Sequence, residues 1–326
     1  MSATAERIQF TAPTDVPRAS RPGEDEPSIA LMAIVLLAHA VYGLLVTRSA
    51  AVATLHAVTT IAIGLWLAGT GSIRRIAIAC AYVAGCEILW RIGRASIPWE
   101  SAKYTIVVFV IIAFSRMKRV RWDWASVTYL ALLTPSTLMS FAEETFEYAR
   151  QQVSFNMSGP VALAAMTWFA LYLRPSRGDT KRLFLALLAP AVSLGAVALT
   201  GVIRIDAVSF SDASNFQTSA GYGPNQVSSV LGLGALLAVL LAILLEERTR
   251  GRIMFGVLAL VLGAQCALTF SRGGLYGAVG ALVLAAPFLL KGARSRVTLF
   301  VMASLLVIAV EAVVVPRLDE FTGAPS

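Results

Sequence analysis

The chain has 326 residues, of which 57% are hydrophobic and only 14% charged, and its mean hydropathy is +0.73. A soluble protein of this size carries about 25% charged residues, so a water-soluble globular domain is excluded. The net charge of +8 points to basic residues gathered at an anionic lipid surface rather than to a nucleic-acid partner.

Residues 1–28 are polar, with Pro13, Pro17, Pro22 and Pro27 and the acidic run Glu24-Asp25-Glu26. They read as a disordered cytoplasmic tail. No signal peptide is recognisable there, so the first apolar segment itself directs insertion. Spanning a hydrocarbon core about 30 Å thick takes roughly 20 apolar residues in a helix. Candidate spans fall at 29–47, 50–69, 76–90, 102–115, 125–142, 158–173, 183–203, 224–245, 253–270, 275–290 and 297–315. The expected fold is an all-α polytopic transmembrane bundle over 29–316 with about eleven spans.

Orientation follows from Lys and Arg, which favour the cytoplasmic side. With the N-terminus inside, 19 of the 27 lie on the inner side. The other eight (Arg48, Arg91, Arg94, Lys103, Arg150, Arg204, Arg272 and Arg317) lie on or near the outer side. The C-terminus is then outside, and 317–326 begins an outer loop. Two outer connections, 143–157 and 204–223, are longer than the rest; the second, rich in Ser, Asp, Asn and Gly, suits an exposed loop, and outer loops this long are more often binding surfaces than spacers.

Within the spans, Cys80, Cys86 and Cys266 lack metal-ligand spacing and read as packed thiols. His39 and His56 stand alone in the first two spans and read as hydrogen-bonded packing residues. Glu87 and Arg91 are one turn apart, where they can neutralise each other; they serve either as structural glue or as the wall of a site. Glu311 has no obvious partner.

Two motifs meet the same outer face. GYGPNQ (Gly221 to Gln226) opens the eighth span and SRGG (Ser271 to Gly274) closes the ninth. Each has a plain structural reading. Gly223 and Pro224 make a routine helix start. Arg272, followed by Gly273 and Gly274, reads as a cation in a last helical turn beside a left-handed glycine cap, and Gly273 with Gly277 has close-packing spacing. The functional reading is an anion site. A helix N-terminus binds anions, Asn225 and Gln226 add amide donors, and Arg272 offers a planar fork that engages two oxygens. Arg204 and Arg317 are further candidates on that face.

There is no HExxH, GxSxG or P-loop, and the first outer connection (Thr47-Arg48-Ser49) carries no carboxylate. A metal-dependent mechanism is therefore disfavoured.

Through GPNQVSSVLGLG, LTFSRGG and RLDEFTG, residues about 200–326 resemble the O-antigen ligase and O-antigen polymerase family of bacterial inner-membrane glycosyltransferases. That resemblance implies transfer of a glycan from undecaprenyl diphosphate to lipid A–core or a growing polysaccharide at the periplasmic face, without metal, nucleotide or other cofactor. It assigns Arg272, and more loosely Arg204, to diphosphate binding. Glu87, Arg91 and Arg317 would stand behind that site. In the family a large periplasmic loop follows the span that ends here at Pro316, and it supplies an arginine and a histidine implicated in catalysis. The resemblance thus implies a chain cut short, with its general base beyond Ser326; within the sequence Asp206, Asp212 and Glu87 are weak candidates for that role. A transporter or flippase of lipid-linked or anionic solutes is the alternative, and a structural subunit a third.

Overall fold

The structure, a computed structural model, describes residues 27–117, 119–203, 215–289, 297 and 301. Ten α-helices follow in order: α1 (Ile29–Val46), α2 (Ala50–Gly69), α3 (Ile73–Ile92), α4 (Ser101–Ser115), α5 (Trp124–Glu143), α6 (Phe146–Ala170), α7 (Arg177–Ile203), α8 (Pro224–Leu240), α9 (Thr249–Leu268) and α10 (Arg272–Leu289). No strand occurs among the described residues. Among the described residues, six helices are long and apolar enough to cross a membrane: α1, α2, α5, α7, α9, and α8 together with the π turn Leu241–Leu245. The other four are shorter or carry charges, such as Arg74, Arg75, Glu87 and Arg91 on α3.

Local chemistry sets the helix starts. Ser28 accepts from the Leu31 amide at 3.2 Å and caps α1, and Asp123 accepts from the Ala125 and Ser126 amides to cap α5. Each satisfies amides left unpaired at a helix N-terminus. Pro224 opens α8, where its missing N–H costs nothing.

The central helix is α7. It packs against α1, α3, α8 and α9, and its buried face with those of α8 and α9 makes the main core around Leu188, Leu231 and Leu262. A second core, around Ile76, Phe109 and Phe169, joins α2, α3, α4 and α6. Without a hydrophobic drive between helices in lipid, small residues permit close packing: a Cβ on Gly43 of α1 would run into the Ser193 backbone of α7.

The helices run up and down, so connections collect at two ends. The motif end holds both sequence motifs together with Thr47 and Arg48. At the opposite end Trp122, Trp168, Phe114 and Tyr172 form an aromatic cluster, and Trp168 Nε1 donates to the Arg121 carbonyl at 2.6 Å. Aromatic side chains favour such positions where a bilayer meets water.

Residues 143–157 are not the outer connection that the sequence suggested. From Phe146 onward they form the first half of α6, behind a break at Glu144 and Thr145. Their polarity is that of a helix face, with Arg150 and Glu147 paired at 2.6 Å. Apart from residues 297 and 301, the eleventh span lies outside the described residues, as do Glu311 and most of the tail.

Candidate functional site

Helix α9 ends at Leu268 and the chain reverses within three residues. Thr269 Oγ1 donates to the Cys266 carbonyl at 2.7 Å and accepts from the Ser271 amide at 3.2 Å. Phe270 takes the left-handed conformation at φ 54°, and α10 begins at Arg272. The helix-cap reading of SRGG is thereby corrected. The left-handed residue is Phe270 rather than Gly273, and Arg272 opens a helix instead of closing one. A cation in a first turn opposes the helix dipole, so capping does not account for Arg272.

The two motifs are hydrogen-bonded together. Ser271 Oγ donates to Asn225 Oδ1 at 2.8 Å, Ser228 Oγ donates to the Ser271 carbonyl at 2.9 Å, and the Gly274 amide donates to Ser228 Oγ at 3.2 Å. These bonds set the starts of α8 and α10 side by side, both pointing to the motif end. The close approach depends on Gly274, where a Cβ would collide with the Ser228 carbonyl, and on Gly232, where it would meet Gly274. Gly273 and Gly277 have nothing within 4 Å of a Cβ, so the close-packing glycine of the motif is Gly274. Gly274→Ala should therefore cost about 1–3 kcal/mol of stability or more, whereas Gly273→Ala should unfold at or above the wild-type temperature. Equal melting of the two variants in detergent would contradict this packing.

Around the paired helix starts, Arg272 is exposed and makes no hydrogen bond or ion pair among the described residues. Asn225 and Gln226 are also exposed, and only Asn225 Oδ1 is engaged. The Gly274 amide is taken by Ser228 Oγ and the Gln226 and Val227 amides by the Gly223 carbonyl, so what the two helix starts share on this surface is their dipole ends beside the Arg272 guanidinium, a composition that suits an anion. Gly223 and Pro224 form the start of α8 and present no side-chain donor. Arg204, Arg317, Asp206 and Asp212 lie outside the described residues.

The segment leading into α8 is braced by residues the sequence reading missed. Asn215 Oδ1 accepts from the Gln217 amide at 2.8 Å, the Asn215 amide donates to the Thr269 carbonyl at 3.0 Å, and Gln265 Nε2 donates to the Thr218 carbonyl at 3.2 Å. A lone glutamine in the apolar run of α9 was the legible signal, since a polar group in a span needs a partner.

Glu87 and Arg91 form an ion pair, as their spacing suggested, within a larger cluster. Arg91 reaches Glu100 at 3.2 Å, Lys103 reaches Glu100 at 2.5 Å and Glu87 at 3.4 Å, and Ser158 donates to Glu100 at 2.7 Å. Burial alone would favour neutral Glu100. Its bonds to Lys103 and Ser158 and the charges of Lys103 and Arg91 outweigh that and hold its carboxyl below the ordinary range. Glu100 is therefore ionised at neutral pH, and the stability that its pairing contributes, present above the unfolded carboxylate range, is lost as pH falls through that depressed value. The Arg91 guanidinium also lies over Trp99, 4.6 Å from the ring centre, and Trp99 is 6.3 Å from the Tyr222 ring. The cluster thus touches the loop that opens α8 without reaching Arg272.

His39 and His56 are hydrogen-bonded, as expected, but not isolated. Both meet the Tyr82 hydroxyl at 2.9 Å, and Trp90 Nε1 donates to His56 Nδ1 at 2.9 Å. His39 Nδ1 lies 2.8 Å from the Val35 carbonyl. A carbonyl only accepts and an indole only donates. Neutral rings therefore give one direction: Trp90 to His56, to Tyr82, to His39, to Val35. Cys80, Cys86 and Cys266 are buried.

No family model matches the chain, and neither a curated protein nor a solved structure matches it at a significant level.

Proposed function

We propose that the chain spans a bacterial inner membrane about eleven times, with the motif end facing the periplasm. There it binds an undecaprenyl diphosphate-linked glycan for transfer to lipid A–core or to a growing polysaccharide. The observation that carries this reading is the unpaired Arg272 beside two helix N-termini, fixed there by the Ser271–Asn225 bond. A glycosyl diphosphate already has a good leaving group, so the first demand on the protein is to stabilise charge on the departing diphosphate. Arg272 and the dipole ends of α8 and α10 meet that demand. An acceptor hydroxyl must also be aligned and deprotonated. No carboxylate or histidine among the described residues is in contact with Arg272, so the base of this mechanism is assigned outside them. Short likeness to the O-antigen ligase and polymerase family in GPNQVSSVLGLG and LTFSRGG supports the same reading.

Orientation is tested by labelling intact cells with an impermeant thiol reagent. The buried native cysteines give little background. Thr47→Cys should be labelled and Thr249→Cys should not, because Lys and Arg favour the cytoplasmic side. The reverse pattern would sink the periplasmic assignment. Function is tested by the fate of a labelled lipid-linked glycan in proteoliposomes with lipid A–core present. The transferase reading expects the glycan to leave its lipid; intact lipid-linked glycan delivered to the other leaflet would mean transport.

A further inference from the structure

Beside the charged cluster, between the end of α3 and the connection to α4, lies a cavity of about 230 Å³ lined in part by Glu87, Trp90, Arg94, Ile97 and Trp99. Three of its features bear on what fits it. Glu87 takes both Arg91 and Lys103 on Oε1, which leaves Oε2 without a hydrogen bond. Arg94 is exposed, unpaired among the described residues, and held at φ 54°. A left-handed conformation is one that glycine adopts more easily. Trp99 is 52% exposed, with its guanidinium contact to Arg91 fixing the indole.

These features discriminate between ligand classes. A phosphate would face the Glu87 carboxylate with Arg94 as its one unpaired cation, since Arg91 and Lys103 are paired with Glu87 and Glu100 and Arg91 keeps only Nε without a partner. A polyprenyl tail would cover Glu87 with hydrocarbon and leave its Oε2 without a hydrogen bond, which is costly. A neutral polyhydroxylated ring suits this lining, since its hydroxyls could donate to Glu87 and accept from Arg94 while its C–H face lay on Trp99 and Ile97. The volume lies below the roughly 300 Å³ at which pockets for drug-sized ligands begin, which suits one ring and not several.

We propose that the cavity bounded by Glu87, Arg94 and Trp99 is a subsite for a single neutral sugar ring. It lies on the same end of the bundle as Arg272, joined to the loop before α8 through the Trp99–Tyr222 contact. The inference rests on the transferase reading for the source of the sugar, which is either the donor glycan or the acceptor.

The test uses the full chain in nanodiscs and saturation-transfer NMR with methyl glucoside, methyl galactoside, methyl mannoside and N-acetylglucosamine as probes. At least one probe should bind, and Trp99→Ala should weaken it about tenfold, as expected for loss of an aromatic contact. Arg94→Gly should also weaken it while melting no lower than wild type, because glycine relaxes the left-handed backbone. Methyl glucuronide should bind no more tightly than the neutral probes. Competition by undecaprenyl diphosphate-linked glycan identifies the donor as the source, and competition by free lipid A–core oligosaccharide identifies the acceptor. Absence of binding by all four probes, binding unchanged in both variants, or competition by neither glycan overturns the proposal. Binding of inorganic diphosphate, compared between wild type and Arg272→Lys, is measured separately. Its loss or persistence reports on the anion site and leaves the sugar result standing.

Discussion

Arg272→Lys should weaken binding of undecaprenyl diphosphate about tenfold, and Arg272→Ala about a hundredfold, with the thermal unfolding of both variants unchanged. Hydrogen bonds between charged groups are worth about 1.5–3 kcal/mol each. The guanidinium engages two oxygens in a fixed plane, whereas an ammonium keeps the charge without the fork. Stability should be unaffected because Arg272 makes no hydrogen bond or ion pair among the described residues, and its place at the start of α10 gains nothing from the helix dipole. Wild-type affinity in Arg272→Lys would mean that position 272 contributes charge alone. A lowered melting temperature would mean a structural role.

The largest stability effect is expected at the opposite end. Lys181 near the start of α7 and Glu246 just after the π turn of α8 form an ion pair at 2.6 Å, with side chains 2% and 3% exposed. Glu246 also accepts from the Arg248 amide at 3.1 Å. Removing one member of a buried pair strands the other charge and costs about 3–5 kcal/mol. Lys181→Met should therefore unfold far below wild type in detergent. The double variant Lys181→Met with Glu246→Leu should recover most of the loss, because two apolar groups replace the pair without stranding a charge. A single variant within about 1 kcal/mol of wild type would show that water reaches Glu246.

The two effects differ in how much of them the sequence carries. Arg272 stood out because an arginine between an apolar run and two glycines is conspicuous. The sequence reading placed it at the close of the ninth span, whereas it opens α10. The reversal at Phe270 decides that through a residue type that seldom adopts a left-handed conformation. Lys181 was hidden. It lies in RGDTKR, which reads as a solvated basic connection, and only the packing of α7 against the end of α8 brings Glu246 over it. The same holds for Tyr82, which joins two histidines from different helices that sequence spacing cannot relate. The helices themselves were legible because long apolar runs have few other solutions in a membrane. The start of α6 was missed because hydropathy sees the apolar half of a helix and not its polar continuation.

Ser271 and Asn225 lie between these extremes. Their motifs were visible, but the bond that joins them is a tertiary contact across 46 residues. It gives the anion site its rigidity in this account, since preorganised donors need no rearrangement as charge develops.

The central claim, that the motif end holds a polyprenyl diphosphate, is tested most directly by titrating the purified chain in nanodiscs with undecaprenyl diphosphate. Excess phosphatidylglycerol is present to occupy nonspecific basic sites. The account predicts saturable binding that inorganic diphosphate displaces and that Arg272→Ala abolishes, with the basic residues of the opposite end left intact. Binding that phosphatidylglycerol displaces, or that survives unchanged in Arg272→Ala, would contradict it.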